Sequence, residues 1–196
     1  MGRWQAGAQE RLERAALELF LAQGFAETTV PEITARAGLT TRTFFRHFTD
    51  KREVLFAGEA ELPALVERLM AEAPAALGPM AVIAHGLRPF AETVFEGRRE
   101  FLRTHHAIIS SDEGLRERNL RKLDTLSQAI SQGFRRRGAD ELTATLAAKL
   151  AMTVFSVAIT RWLEGDSEQG LAEIVAEVFS ALQLVVANAP AQPRAE

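Results

Sequence analysis

Three observations predict an all-α fold of about nine helices. Strand signals are nearly absent: the 196 residues include no Tyr, the β-branched residues are scattered, and no alternating run is bounded by Asn-Gly or Asp-Gly. Apolar residues recur instead at helical spacing along the whole chain. Gly and Pro punctuate the places where those periodic stretches stop, most clearly at Leu77-Gly78-Pro79.

The first helix is marked by Leu12, Ala15, Ala16, Leu19 and Phe20, the i, i+3, i+4, i+7, i+8 pattern of one buried face, with Gln23-Gly24 as its stop. Thr29-Val30-Pro31-Glu32 reads as a capping box, in which the Thr29 hydroxyl accepts an early backbone N–H and Glu32 reaches back to the cap. A second helix is therefore expected over about 30–37. Gly38 can take positive φ and Thr40 can cap a third helix over 41–48, leaving a very short turn between the two. Asp50 is expected to cap a fourth helix from Lys51 to beyond Leu69, kinked or divided at Pro63. Met80, Ile83, Ala84 and Leu87 start a fifth, which Pro89 should disturb before Phe95. Gly97 separates it from a sixth carrying Phe101, Leu102, His105, Ile108 and Ile109. A long helix over about 112–137 carries Leu115, Leu123, Leu126, Ile130 and Phe134 and ends on basic residues and Gly138; its first acids, Asp112, Glu113 and Glu117, suit a helix N-terminus. The last two helices, joined by a turn at Glu164-Gly165-Asp166-Ser167, differ in kind. Between positions 146 and 163 the only charges are Lys149 and Arg161, and between 178 and 193 there are none, so each is apolar on more than one side.

Composition limits what such a fold can do. With 23 Lys+Arg against 26 Asp+Glu the net charge is -3, and 47% of the chain is hydrophobic, enough for one compact domain or two small ones. The cysteine count of 0 excludes disulfide scaffolds and thiolate zinc sites. Glu18 and Gln23 interrupt the first apolar stretch, and no later run reads as bilayer-spanning, so a cytoplasmic protein with no membrane partner is expected. Adjacent His105 and His106 point about 100° apart on a helix and make no metal pair. Without a nucleophile and base in recognisable spacing, a phosphate-cradling Gly loop or a metal set, neither an enzyme nor a cofactor is expected. The pI near 5.9 argues against a chain coated in nucleic acid. Charge is nevertheless uneven: residues 1–52 hold 8 basic and 6 acidic residues, and the remainder 15 and 20. Between positions 36 and 52, Arg36, Arg42, Arg46, Lys51 and Arg52 face only Asp50.

Two short helices joined by a tight Gly turn, the second rich in Arg and Thr, describe a helix-turn-helix. Thr41, Arg42, Phe45 and Arg46 fall at i, i+1, i+4 and i+5 on one stripe, whereas Phe44 and Phe48 lie opposite with Leu39. That segregation lets a helix present small polar and basic groups to base edges while packing on a trihelical core. The run GFAETTVPEITARAGLTTRTFFRHFTDKREVLF, residues 24–56, resembles the DNA-binding domain of the TetR family of bacterial transcriptional regulators. Gly24, Phe25, Thr28, Thr29, Val30, Ile33, Ala37, Gly38, Leu39, Thr40, Thr43, Phe44, His47, Phe48 and Lys51 fit its pattern; beyond Phe56 the likeness is one of architecture.

The resemblance implies phosphate contacts from Thr29, Thr40, Thr43, His47 and Lys51, and places Thr41, Arg42, Phe45 and Arg46 at or near base edges. The chemistry agrees: hydroxyls and a cation at helix N-termini suit phosphate oxygens, and Arg can take guanine O6 and N7 together. Phe45 departs from the family's usual Tyr; a phenyl ring can press on a thymine methyl or a sugar but cannot donate to phosphate. Alone, Arg42 or Arg46 would read as part of a solvated helix face, and Thr29 caps its helix whatever else it does. The implied organisation is an N-terminal three-helix helix-turn-helix DNA-binding domain over 1–52, a helical effector-binding and dimerisation domain over 53–188, and a disordered tail over 189–196. The implied function is a repressor released from a pseudo-palindromic double-stranded DNA operator by a small-molecule inducer, with Pro63 absorbing bending in the connecting helix. A helical small-molecule or partner-binding module without operator binding, and an activator, are the alternatives.

The surplus apolar face of the last two helices is expected to be buried by an identical pair across a two-fold axis, giving a homodimer. Ala158, Val175, Phe179, Leu182 and Val186 are the interface candidates. An effector pocket is expected in the helical core, with Phe90, Phe101, His105 and Leu126 as candidate walls, joined by Ile130, Phe134, Phe155 and Trp162. Aromatic residues at helical spacing also make ordinary core.

Overall fold

In the computed structural model, which describes residues 3–57, 59–165 and 168–187, the described chain is built from nine α-helices with no strand. The expected tail over 189–196 and the Asp166-Ser167 part of the expected turn lie outside the described residues. The helices are α1 (Arg3–Gln23), α2 (Val30–Ala37), α3 (Thr41–His47), α4 (Leu62–Glu72), α5 (Pro79–Phe95), α6 (Arg99–Ser111), α7 (Glu113–Arg136), α8 (Glu141–Glu164) and α9 (Leu171–Ala187).

Two expectations are corrected. No α-helix starts at Lys51: the chain forms 3-10 turns at Glu53–Phe56 and Glu59–Glu61, and α4 begins at Leu62. Pro63 has no N–H to give, and its ring would crowd a carbonyl four residues back, so it suits the first turn of an α-helix better than the interior. Asp50 still caps, accepting from the backbone N–H of Arg52 at 2.7 Å and of Glu53 at 3.2 Å, but what it caps is the 3-10 turn. Pro89 does not break α5, which runs on to Phe95 because Val82, Ile83, Phe90 and Ala91 bury one of its faces on both sides of the proline.

The chain divides by packing into two units. Residues 1–62 with 100–122 form one, and residues 63–99 with 123–196 the other, so α7 gives its first part to unit 1 and the rest to unit 2. The sequence motifs suggest a boundary at 52/53; packing adds α6 and the start of α7 to the N-terminal unit. Its core gathers Leu12, Ala16 and Phe20 of α1, Ile33 of α2 and Phe44 of α3, closed by Val54, Leu55 and Phe56 and by Ile108, Ile109 and Leu115.

Unit 2 joins α4 and α5 to the rest of α7, α8 and α9. Arginine side chains close two of its helix ends, where carbonyls have no partner within the helix. Arg137 donates to the carbonyls of Met70 in the last turn of α4 and of Ala73 and Pro74 just beyond it, at 3.2, 2.8 and 2.6 Å. Arg99 donates to the carbonyls of Trp162 and Gly165 at the end of α8. By length and composition α8 is apolar enough to cross a bilayer, which corrects the reading that no run has that character. Its Ala144, Ala147, Ala148, Ala151, Val154 and Ala158 go into the core of unit 2 instead.

Candidate nucleic-acid interface

The turn between α2 and α3 is built by local chemistry. Thr29 accepts from the Glu32 N–H at 3.4 Å, and its own N–H and hydroxyl donate to the Glu32 carboxylate at 2.8 and 2.7 Å, completing the capping box. Hydrogen bonds from the Thr29 hydroxyl, its backbone N–H and Gln23 hold the Glu32 carboxyl below its ordinary range. Gly38 ends α2 at φ 62°, where its N–H reaches back to the Ala35 carbonyl, and the Leu39 N–H reaches that of Thr34. A side chain with a Cβ is strained at this φ. Thr40 caps α3 by accepting the Thr43 N–H at 3.2 Å, and the two hydroxyls are 3.0 Å apart.

One face of α3 is thereby fixed inward, with Phe44 and Phe48 in the core and their rings 5.4 Å apart. The other face exposes Thr41, Arg42, Phe45 and Arg46, with Thr40 exposed at the cap and Thr43 half-buried. The Phe45 ring is 59% exposed and stands edge-on to Phe44, an apolar platform beside two cations. Thr29 is exposed, with its hydroxyl committed to the capping box.

The basic cluster between positions 36 and 52 is less uniform than its sequence. Arg36 is paired with Glu18 at 2.6 Å and Arg52 with Asp50 at 2.8 Å. Burial acts to raise the Asp50 carboxyl, but hydrogen bonds from the Arg52 side chain and from two backbone N–H groups outweigh it and keep the group below its ordinary range.

Lys51, expected at a phosphate, has its ammonium engaged within the protein. Its ammonium donates to the carbonyls of Phe25, Ala26 and Thr28 at 2.7, 2.9 and 2.8 Å, which uses all three protons, and it lies 4.5 Å from the centre of the Phe25 ring. His47 is half-buried and its Nε2 is turned inward without a hydrogen-bond partner, so this atom does not reach a phosphate. Arg42 and Arg46 are the cations of the cluster that no hydrogen bond or ion pair among the described residues holds.

Within unit 2 lies a cavity of about 70 Å³. Its walls come from Val66, Leu69 and Met70 on α4, Val82, Ile83, Gly86, Leu87 and Phe90 on α5, Leu126, Ile130 and Phe134 on α7, and Ala151, Met152 and Phe155 on α8. Phe90, Leu126, Ile130, Phe134 and Phe155 are thus brought together as the sequence reading grouped them. Three other candidates are corrected. His105 is buried in unit 1, where its Nε2 meets the Leu55 carbonyl and Phe101 stacks on its ring, so both serve the segment after α3. Trp162 is buried under the Arg99 guanidinium, edge-on to Phe95. Sequence reasoning missed Gly86, Met70 and Met152; a glycine spaced four residues from both Val82 and Phe90 on an apolar stripe was the available signal.

The proposed interface residues also separate. Ala158, Val175 and Phe179 point into the core of unit 2 and are unavailable to a partner, a correction that follows from the phase of their helices. Leu182 is half-buried and Val186 exposed. Other apolar side chains face outward, among them Leu142, Leu146 and Val157 on α8 and Leu184 and Val185 on α9.

Sequence comparison matches residues 13–57 to the family described as bacterial regulatory proteins, tetR family, and residues 77–187 to the MftR C-terminal domain. The chain is similar to the HTH-type transcriptional regulator TcmR of Streptomyces glaucescens, 31% identical over 157 residues that cover 75% of this chain and 67% of that protein. Among solved structures, it resembles the complex with triclosan of SmeT, the repressor of the Stenotrophomonas maltophilia multidrug efflux pump SmeDEF. That match has TM-score 0.63 and 20% identity, covering 96% of this chain and 99% of the other. It also resembles Thermus thermophilus FadR, a TetR family transcriptional repressor bound to lauroyl-CoA, with TM-score 0.57, 24% identity and coverage of 96% and 98%. At these identities the structural likenesses show the fold.

Proposed function

Because the chain belongs to the TetR family of bacterial transcriptional regulators and is a DNA-binding regulator of transcription, we propose that it acts as a homodimeric repressor that a small apolar molecule releases from its operator. The observation that carries the DNA contact is the outer face of α3. There Arg42 and Arg46 are exposed and unheld beside Thr41 and Phe45, while the same helix is anchored by Phe44 beneath. A guanidinium with no internal partner keeps its donor fork for guanine O6 and N7, and the Phe45 ring suits a thymine methyl. Thr43 and Thr40 at the start of α3 are the phosphate contacts this reading retains, and Thr29 contributes through the cap it makes.

Two copies of α3 reading successive major grooves require half-sites about 34–36 Å apart and a pseudo-palindromic site. The outward stripes of α8 and α9 support pairing, since Leu142, Leu146, Val157 and Leu184 leave apolar area that a second copy would cover. The cavity supports an inducer. A molecule that binds there more tightly in a form unsuited to the operator weakens DNA binding by that difference in affinity. The TcmR likeness agrees with a role in regulating transcription.

Selection of bound duplexes from a random pool tests the reading. The expected result is an enriched inverted repeat with half-sites one helical turn apart; a pool that stays random overturns it. Light scattering should return twice the protomer mass of 21.6 kDa, and a Leu146→Glu, Leu184→Glu double variant should return 21.6 kDa. A wild-type particle of protomer mass would contradict the pairing.

A further inference from the structure

Val82, Gly86 and Phe90 follow one another at i, i+4 and i+8 on α5 and so share a face. Val82 and Phe90 are buried, and the glycine between them lies on the cavity wall. Apart from its chain neighbours and the adjacent backbone of its own helix, a Cβ built at Gly86 would meet no heavy atom within 4 Å. Its backbone is not among the positive-φ glycines of the described residues, which are Gly24, Gly38, Gly97 and Gly138, so conformation does not require it. Close packing does not require it either. Gly133 in the same unit offers the contrast: a Cβ there would come within 3.0 Å of Met70 Cγ and Cε, so that glycine lets α7 approach α4. Glycine inside a helix is among the least favourable choices. At position 86 neither backbone nor neighbours explain it; its effect is to keep space open.

The chemistry of that space is uniform. Every side chain on the wall is hydrocarbon or thioether, and none offers an N–H, a hydroxyl or a charge. A charged guest would lose its hydration with nothing in exchange. Phe90 and Phe155 meet edge-on with centroids 5.4 Å apart, a geometry a further ring can extend. At about 70 Å³ the cavity is smaller than the roughly 150 Å³ that holds benzene elsewhere, so a guest must displace wall side chains. Met70 and Met152 are unbranched and can move to make that room.

We infer that Gly86 sets the size of the molecule the cavity admits, and that this molecule is an uncharged, ring-bearing hydrocarbon-like compound with no group needing a buried hydrogen bond. The inference rests on reading the cavity as the effector site. Its test uses the full chain with benzene, n-butylbenzene and benzoate as probes, followed by melting temperature and calorimetric titration. Both hydrocarbons should bind and raise the melting temperature, and benzoate at the same concentration should do neither. Gly86→Ala should raise the melting temperature of the unliganded protein, because a better helix former enters free space. It should also weaken n-butylbenzene by roughly 10-fold or more, the scale of one methyl group in an apolar pocket. Gly86→Leu should abolish binding of both hydrocarbons with the circular dichroism of the wild type retained; if that variant does not fold, Gly86→Ala decides alone. A benzoate affinity equal to that of benzene, no binding of either hydrocarbon, a lowered melting temperature for Gly86→Ala, or unchanged n-butylbenzene affinity in that variant would each overturn the inference. Operator affinity is measured separately: hydrocarbons that obey the Gly86 size rule yet leave operator binding unchanged uphold the inference and refute the inducer reading.

Discussion

In unit 1, polar atoms are held one by one, whereas in unit 2 the cavity is a space whose walls offer no polar side chain. Around the helix-turn-helix, Lys51 is fixed by three carbonyls, Thr29 and Glu32 by each other, Arg36 by Glu18 and Arg52 by Asp50. Among the described residues, the exposed cations of the basic cluster left over are Arg42 and Arg46. In unit 2, arginines close helix ends, and what is left over is volume beside Gly86. On the proposed reading, the contrast is between what each unit's folding leaves unsatisfied: donors in the first, apolar contacts in the second.

The largest expected effect breaks the contrast at Lys51. Lys51→Ala removes three charge-assisted hydrogen bonds and should lower stability by about 3 kcal/mol, read as a fall in the thermal or urea midpoint. A variant that melts like the wild type but binds all duplexes more weakly would return Lys51 to the phosphate backbone. Next in size, Arg46→Ala should cost about 1–3 kcal/mol in binding to the selected duplex and change folding stability by no more than about 0.5 kcal/mol. A lost melting temperature there would mean that Arg46 supports the fold.

Smaller still, Thr29→Ala should remove about 1 kcal/mol of stability through loss of the cap, and operator affinity should fall only as far as α2 frays. The least effect belongs to pH. Because the folded Glu32 carboxyl lies below its ordinary value of 4.5, its contribution is complete above that value and is lost as pH falls through the lower folded one. Glu32→Gln should therefore flatten the acid side of the stability curve relative to the wild type, measured by urea melts from neutral pH downward. Parallel curves would detach Glu32 from the cap.

Much of unit 1 was legible because its devices are local. Thr29-Val30-Pro31-Glu32 writes its capping box within four residues, and Gly38 ends α2 with a left-handed turn that only a residue lacking Cβ takes readily. The internal partners of Lys51 are not legible in the sequence, because they are carbonyls 23 to 26 residues earlier in the chain, which no side-chain pattern reveals. The stretch after Asp50 was read as one helix because apolar spacing alone does not separate a 3-10 turn from the start of an α-helix. In unit 2 the apolar stripes were visible, but with α8 and α9 apolar on several sides their phase was not, so Ala158, Val175 and Phe179 were assigned to the wrong face. Gly86 stands on a visible apolar stripe, but the space beside it belongs to four helices together and is not legible in the sequence.

The claim on which the regulator rests is that the outer face of α3 distinguishes bases, and Arg42 tests it most directly. Wild type and Arg42→Ala should be titrated against the selected duplex and a scrambled duplex of equal length across a salt series. The account predicts a loss of about 1–3 kcal/mol on the selected duplex, with relaxed preference at one position of each half-site and little change on the scrambled one. Equal losses on both duplexes, or none on either, would contradict it.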